Sequence, residues 1–428
     1  MEKKFDVKDD KIVVGLDVGT TKVCALVAEQ KEGGGLAVIG LGSSPSFGLR
    51  KGVVVDIKKT VDSIKRALGE ARSKAGVEPT HVTVGIAGDH VMSANSAGRL
   101  SVRSRGKIID ERLRDRVIAQ SLRAKVPQGY QVIHILPREY ILDGVDGVSE
   151  PLGMSAGVIE VKTHIVLGAI PSIANLVNCV QLAGVGVKDI VLEPLASAEA
   201  VLTDDERELG TALIDIGGGT TDIAVFNEGG ICHTKVLPFG GNHVTRDVAV
   251  GLRVSLEDAE AIKVKSGLAL RKIADPTGVI KVRDIYSHRS RTVLLVNLAG
   301  VIEARMAEMF GMVRNDLEQS GMIKLLAGGA VLTGGASQLK GIEKLASDAL
   351  GLPVRVGHPK NIEGPAAVVK NSIYATGVGL LLYASRASET AAVDLPGGGD
   401  LAAITDRIRH WFKETVADRV LFRTKTKV

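Results

Sequence analysis

The chain has 428 residues, 45% hydrophobic and 24% charged, with a formal net charge of +5. That length and balance predict a globular protein of roughly two to four units with well-buried cores. The positive excess is confined to the end: residues 401–428 hold seven Lys or Arg and three acids, which leaves 47 against 46 elsewhere and excludes a DNA-binding body. The 50 glycines are well above the usual ~7% and predict many tight turns, while an aromatic content of 3% predicts cores of Val, Ile, Leu and Ala. Cys24, Cys179 and Cys232 are far apart with no C-x-x-C pair, which suits a reducing compartment. The opening MEKKFDVKDDK lacks the apolar core of a signal peptide, and no uncharged apolar run is long enough to span a bilayer.

In chain order, residues 12–27 (IVVGLDVGTTKVCALV) come first. They read as a buried strand ending in an acid, a glycine turn with Thr-Thr, and a second strand, a β-hairpin. The ERLRDR run at 111–116 reads as a solvated face, and GVGVK at 184–188 as a turn before a strand. Residues 211–226 (TALIDIGGGTTDIAVF) then repeat the opening pattern. Glycines let backbone N–H groups approach an anion, and threonine hydroxyls add donors beside them, making a phosphate cradle. The strand-end acids Asp17 and Asp215, and Asp222 beyond the second turn, need a cation, which phosphate-bound Mg2+ would supply. Two such hairpins predict two related halves with facing phosphate clamps. SHRSR at 287–291 reads as another solvated face, since aromatics for base stacking are scarce. Residues 330–351 (AVLTGGASQLKGIEKLASDALG) read as a strand, a Gly334–Gly335 turn, and a helix whose N-terminus can hold a ribose or phosphate. His81, His134, His164 and His288 show no metal or triad spacing.

Residues 385–400 (SRASETAAVDLPGGGD) have linker composition and would span roughly 20 Å on average and about 55 Å at full stretch. In the stretch that follows, Leu401, Ile404, Ile408, Trp411, Phe412 and Val416 share a band of about 140° on a helical projection. Arg407, His410, Lys413 and Glu414 lie opposite, with Arg409 at the flank. This pattern predicts a helix lying in a membrane interface and ending near Ala417, because Arg419 falls back into the apolar stripe. Glu414 and Asp418 weaken the attraction to anionic lipid, so durable attachment requires many copies, as in a filament.

The order of these motifs resembles the actin, heat-shock chaperone and sugar-kinase superfamily. GLDVGTTK and DIGGGTTD resemble its two phosphate loops, IVLEPLASAEAVL and YATGVGLLLY its two connecting helices, and VLTGGASQ its adenosine motif. By that likeness Gly19, Thr20, Thr21, Lys22, Gly217, Gly218, Gly219, Thr220 and Thr221 bind the ATP phosphates. Asp17 and Asp215 orient Mg2+ through water, with Asp222 as a further candidate, and Glu193 positions the attacking water. Gly241, Glu260, Lys263, Gly334, Gly335 and Ala336 surround the adenosine. Within the superfamily, VGIAGDHVMSANSAGRLSV and LPREYILDGVDGVSEPLGMSAGVIEV resemble the bacterial FtsA cell-division branch over roughly residues 12–385. IAGDHV departs mildly from the ISG-x-H-I pattern of that branch.

The resemblance implies an α/β, actin-like (ribonuclease-H-like, duplicated) two-lobed fold. Its subdomains would be 1A (10–83, 166–197, 366–385), an FtsA-type extra subdomain 1C (84–165), 2A (198–228, 300–365) and 2B (229–299), then a linker (386–400) and an amphipathic helix (401–417). It further implies an ATP-binding protein, with slow or incidental hydrolysis, that polymerises on the cytoplasmic face of the membrane at the division site. The C-terminal tail of FtsZ would dock on 2B, later divisome proteins on 1C, and no nucleic acid is a partner. The alternatives are an FtsA-like pilus-assembly ATPase and a soluble actin-fold kinase. The kinase needs a general base aimed at a substrate hydroxyl, which the sequence does not display. A chaperone would need a further β domain.

Overall fold

The computed structural model describes residues 11–102, 108–122 and 126–387. Among the described residues the first elements are β1 (Ile12–Val18), β2 (Lys22–Gln30) and β3 (Leu36–Pro45), an antiparallel meander. A small ribbon, β4 (Leu49–Arg50) with β5 (Val53–Val54), leads into α1 (Ile57–Ala75). Asp56 caps this helix by accepting from the Lys59 N–H at 3.1 Å, and Gly76 closes it at φ 69°. The helix buries Ile64, Ala67, Leu68 and Ala71 on the sheet, and it approaches so closely that a Cβ on Gly42 would lie 1.8 Å from the Ala67 carbonyl oxygen. The parallel strand β6 (His81–Ile86) then joins β1.

An inserted unit follows, made of β7 (Val91–Ser101), α2 (Glu111–Ser121), β8 (Tyr130–Leu142), β9 (Val145–Val148) and β10 (Val158–Ala169). Its four-stranded sheet has the order β7-β10-β8-β9, and α2 covers one face with Leu113, Val117 and Ile118. The ERLRDR run does not lie wholly on a solvated face. Arg114 and Asp115 are 4% and 3% exposed and pair at 3.1 Å, so two opposite charges enter the interior together.

The chain re-enters the first lobe through α3 (Ile170–Leu182) and β11 (Gly186–Leu192), completing a sheet of order β11-β6-β1-β2-β3. Within the GVGVK stretch only Gly184, at φ 96°, belongs to the turn. Strand pairing begins at Gly186, whose N–H donates to the Thr80 carbonyl at 2.8 Å. Helix α4 (Glu193–Val201) then crosses to the second lobe.

That lobe comprises α5 (Asp204–Leu209), the meander β12 (Thr211–Ile216), β13 (Thr221–Asn227) and β14 (Gly230–Leu237), helices α6 (Gly241–Leu252) and α7 (Leu256–Ser266), and the hairpin β15 (Val279–Arg283) with β16 (Ser290–Leu294). Helix α8 (Leu295–Gln319), β17 (Ala330–Thr333), α9 (Ile342–Leu350) and β18 (Val354–Val356) complete it. Its sheet order, β18-β17-β12-β13-β14, repeats that of the first lobe, with β17 parallel to β12 as β6 is to β1. The internal duplication seen as two glycine turns is therefore a duplication of whole sheets. Short α10 (Ala366–Val369) and then α11 (Ala375–Ala387) return the chain to the first lobe, where α11 packs on α4 through Leu380, Tyr383 and Ala196. Contact there is so close that a Cβ on Gly379 would lie 1.8 Å from the Ala196 carbonyl oxygen.

The four histidines set aside from the sequence have structural surroundings. His164 sits between Asn95 (2.7 Å) and Thr234 (3.0 Å), joining the inserted sheet to β14. His134 accepts from the Leu192 N–H at 3.0 Å, His81 contacts Thr80, and His288 occupies a turn at φ 54°. The SHRSR residues are exposed.

Candidate functional site

The two glycine turns face each other across a cavity of about 720 Å³. They have one geometry. The Gly19 N–H donates to the Lys22 carbonyl at 3.0 Å, and the Gly217 N–H to the Thr220 carbonyl at 3.0 Å. Strand register makes Asp17 opposite Cys24 equivalent to Asp215 opposite Asp222, so the first hairpin carries a cysteine where the second carries its further acid. Asp17, Gly19, Thr20, Thr21 and Lys22 from one hairpin line the cavity with Asp215, Gly217, Gly218, Gly219, Thr220 and Asp222 from the other.

The threonines act less as phosphate donors than their pattern suggests. Thr221 leaves the set: it is 1% exposed, its hydroxyl donates to the Phe239 carbonyl at 2.8 Å, and it does not line the cavity. Strand alternation turns it away from the cavity because Asp222 faces in. The Thr220 hydroxyl donates to Asp222 Oδ2 at 3.1 Å, and Thr21 exchanges hydrogen bonds with the Asn242 amide at 3.2 and 3.4 Å. The Thr20 oxygen accepts from the Gly52 N–H at 3.1 Å, which leaves its own proton available. The backbone amides at 20–21 and 218–219, which these turn bonds leave over, are thus anion donors the hairpins offer beside Lys22.

Four of the carboxylates lining this cavity crowd around the two glycine turns. Asp17, Asp215 and Asp222 are buried, and Glu193, at the first position of α4, is half-buried. Burial pushes the Asp17 carboxyl up to about 6, against the pull of Lys22 and with the push of Asp215. Burial raises Glu193 and Asp222 well above the ordinary range, and neighbouring acids push both further. Burial also raises Asp215, opposed by hydrogen bonds from Ser197 and Thr376 and by Lys22. Lys22 itself donates to the Ile373 carbonyl at 3.1 Å and lies 4.4 Å from the Tyr374 ring centroid. The Asp222 Oδ1 atom is buried with no hydrogen-bond partner. A buried carboxylate oxygen left without a donor fits a hydrated cation beside it. Among the described residues no three His, Cys, Asp or Glu side chains converge to ligate a metal directly, so the donor set suits a cation held through water and phosphate.

On the second-lobe side, Gly241, Glu260, Lys263, Gly334, Gly335 and Ala336 all line the cavity. Lys263 pairs with Glu260 at 2.7 Å and donates to Thr245 at 2.9 Å and the Gly241 carbonyl at 3.2 Å. The segment after Gly334–Gly335 differs from the sequence reading: Gly335–Gln338 is a 3-10 turn, and α9 begins only at Ile342, after Gly341 at φ 84°. Gly334, at φ 84°, is required twice over, because a Cβ there would also lie 2.4 Å from Asp215 Oδ1.

Sequence reasoning missed Asn242, Ser197 and Thr376. Ser197 and Thr376 lie within the two segments read as connecting helices, and a hydroxyl among Leu195, Ala196 and Ala198 on a buried helix was the available signal. The membrane-face residues Leu401, Ile404, Arg407, Ile408, Arg409, Trp411, Phe412, Lys413 and Val416 lie outside the described residues. Among the described residues no helix is long and apolar enough to cross a membrane.

The family model for "Cell division protein FtsA" matches residues 212–379, and that for "SHS2 domain inserted in FTSA" matches 88–167, the inserted unit. The chain is 43% identical over 411 residues to the cell division protein FtsA of Pseudomonas aeruginosa, covering 95% of this chain and 98% of that protein. Among solved structures it is similar to the PilM-PilN type IV pilus biogenesis complex (TM-score 0.62, 18% identity, 86% of this chain and 97% of that one). It is also similar to MreB5 of Spiroplasma citri bound to ADP (TM-score 0.56, 17% identity, 89% of this chain and 98% of that one). These likenesses establish the actin-like two-lobed fold, and at 43% identity over nearly full length the chain belongs to the FtsA family of cell division proteins.

Proposed function

We propose that this protein binds ATP with Mg2+ between its lobes, polymerises on the cytoplasmic face of the membrane at the division site, tethers the FtsZ ring there and recruits later divisome proteins. The observation that carries this reading is the cavity itself: two glycine turns face each other, and Asp17, Asp215, Asp222 and Glu193 crowd together there, with Lys22 drawing down Asp17 and Asp215. Such a site is unfavourable when empty and favourable with a divalent cation and a polyphosphate. With the Gly19 and Gly217 N–H groups closing their own turns, the amides at 20–21 and 218–219 would hold the phosphates, Lys22 would reach one of them, and Asp17, Asp215 and Asp222 would hold the water shell of Mg2+. The cation would neutralise the crowded acids and the phosphate charge together. Glu193 would position an attacking water, while Lys263 and Glu260 with Gly241 and residues 334–336 would bind the adenosine. ATP-bridged lobe closure would act as the assembly switch, with hydrolysis slow or incidental.

In this reading 84–165 (1C) faces filament neighbours and later division proteins, and 229–299 (2B) receives the C-terminal tail of FtsZ. That region exposes Lys265, Arg271 and Lys272 on α7 and the turn beyond it, a surface suited to an acidic peptide. Residues 401–417 attach the polymer to anionic lipid.

The test is co-sedimentation with anionic liposomes and ATP-Mg2+, comparing the full chain, a chain ending at Gly399, and Trp411→Glu. The reading expects only the full chain to pellet, with filamentous coats on the lipid. If all three stay in the supernatant at low salt, the tail is no anchor and the membrane part of the proposal falls.

A further inference from the structure

We propose that Ser197 and Thr376 are positioning residues that clamp Asp215 and thereby set the affinity of the cavity for a divalent cation. The Ser197 hydroxyl donates to Asp215 Oδ2 at 2.7 Å. The Thr376 hydroxyl lies 3.2 Å from the same oxygen and 3.0 Å from Ser197 Oγ. Ser197 is fully buried, Thr376 8% exposed and Asp215 7% exposed, so water does not substitute readily for either hydroxyl. Both hydroxyls engage one oxygen, and among the described residues Asp215 Oδ1 takes no hydrogen bond. That oxygen abuts Gly334, where no side chain covers it, and is left for the cavity.

The same arrangement recurs across the β12–β13 pair, where Thr220 holds Asp222 Oδ2 at 3.1 Å and leaves Oδ1 unmet. Each of two facing aspartates is held by hydroxyl at one oxygen and presents the other. Hydroxyl donors fix a carboxylate's rotation without bringing a competing positive charge, and such outer contacts govern metal affinity where they orient a ligand or its water shell. The two clamping hydroxyls come from α4 and α11, so the carboxylate of β12 takes a hydrogen bond from each of the two connecting helices.

This inference rests on the nucleotide and cation reading above, and its test separates the two. Binding of a fluorescent ATP analogue would be measured in EDTA and across a MgCl2 titration for wild type, Ser197→Ala, Thr376→Val and Thr376→Ser. The clamp predicts EDTA affinities within about twofold of wild type. It predicts a Mg2+ midpoint raised about tenfold or more in Ser197→Ala and Thr376→Val, and near-wild-type behaviour in Thr376→Ser, which keeps the hydroxyl. An unchanged midpoint, an equal loss in EDTA, or no rescue by serine overturns it. If wild type binds no nucleotide in either condition, the nucleotide reading fails by itself. Titration with Mn2+ alone, read by electron paramagnetic resonance, then decides. Wild-type binding weakened about tenfold in the two variants sustains the clamp, and any other result overturns it.

Discussion

Thr21 fills the space that a side chain on Gly218 would occupy: a Cβ there would lie 1.8 Å from Thr21 Oγ1 and 2.8 Å from Thr21 Cβ. Gly219 stands the same way against Thr20, at 2.7 Å from its hydroxyl oxygen. The triple glycine of the second hairpin therefore serves a contact between the hairpins as well as an approaching anion. Thr21 and Asn242 close that contact with their paired hydrogen bonds.

The contact is testable by a double-mutant cycle. Gly218→Ala should destabilise the protein by about 1–3 kcal/mol through overpacking. In a Thr21→Gly background most of that cost should disappear, giving a coupling well above the ~0.5 kcal/mol expected of independent sites. Urea unfolding of the four proteins checks it, and additive effects would place the hairpins apart in solution.

The carboxylate cluster predicts an unusual pH response in chelator and without nucleotide. The folded pKa of Asp17, about 6, lies above that of an unfolded aspartate. Its stabilising share is therefore complete below about pH 4 and is lost as pH rises through 6. Asp17→Asn should raise stability at pH 7.5 by up to about 3 kcal/mol, from about two units at 1.36 kcal/mol each, and the gain should vanish near pH 4. Chemical denaturation at both pH values reads this out. A variant no more stable than wild type at pH 7.5 would refute it.

His164 predicts the opposite slope. Burial first, then His233 and Arg138, hold its pKa down to about 3, so the folded protein keeps it neutral. Below about pH 6.5 the unfolded chain takes up a proton that the fold does not, and stability falls by up to about 2 kcal/mol between pH 6.5 and 5. His164→Gln should lose stability at pH 7.5 through its altered contacts with Asn95 and Thr234, yet show a flatter acid limb. An unchanged acid limb would show that another group governs it.

Two glycines separate backbone freedom from packing. Gly69 lies on an exposed face of α1 with nothing within 4 Å of a built Cβ, so Gly69→Ala should stabilise by about 0.5–1 kcal/mol. Gly379, also helical, faces the Ala196 carbonyl oxygen at 1.8 Å, so Gly379→Ala should force α4 and α11 apart and cost about 1–3 kcal/mol or more. Thermal melts of the two single variants should move in opposite directions.

Much of the architecture was legible because its signals are local. An apolar run, a strand-end acid and a glycine turn lie within one hairpin, so residues 12–27 and 211–226 announced a duplication that the matched sheet orders display. The helices around Glu193 and Thr376 and the glycines at 334–335 were likewise found in place. The 3-10 turn before α9 was not, because Gly341 rather than Gly335 carries the capping geometry and both look alike in sequence.

By itself, then, the sequence determined which segments make strands and turns, which acids stand at strand ends, and the order in which they recur. Tertiary structure alone decided which hydroxyls are spent inside the protein. Thr221 serves Phe239, Thr220 serves Asp222, and Ser197 and Thr376 serve Asp215 from 18 and 161 residues away. It likewise buried Arg114 with Asp115 in what reads as a solvated run. The reason is physical: periodicity and turn chemistry act between neighbours in the chain, whereas a buried hydrogen bond depends on distances set only when sheets and helices pack.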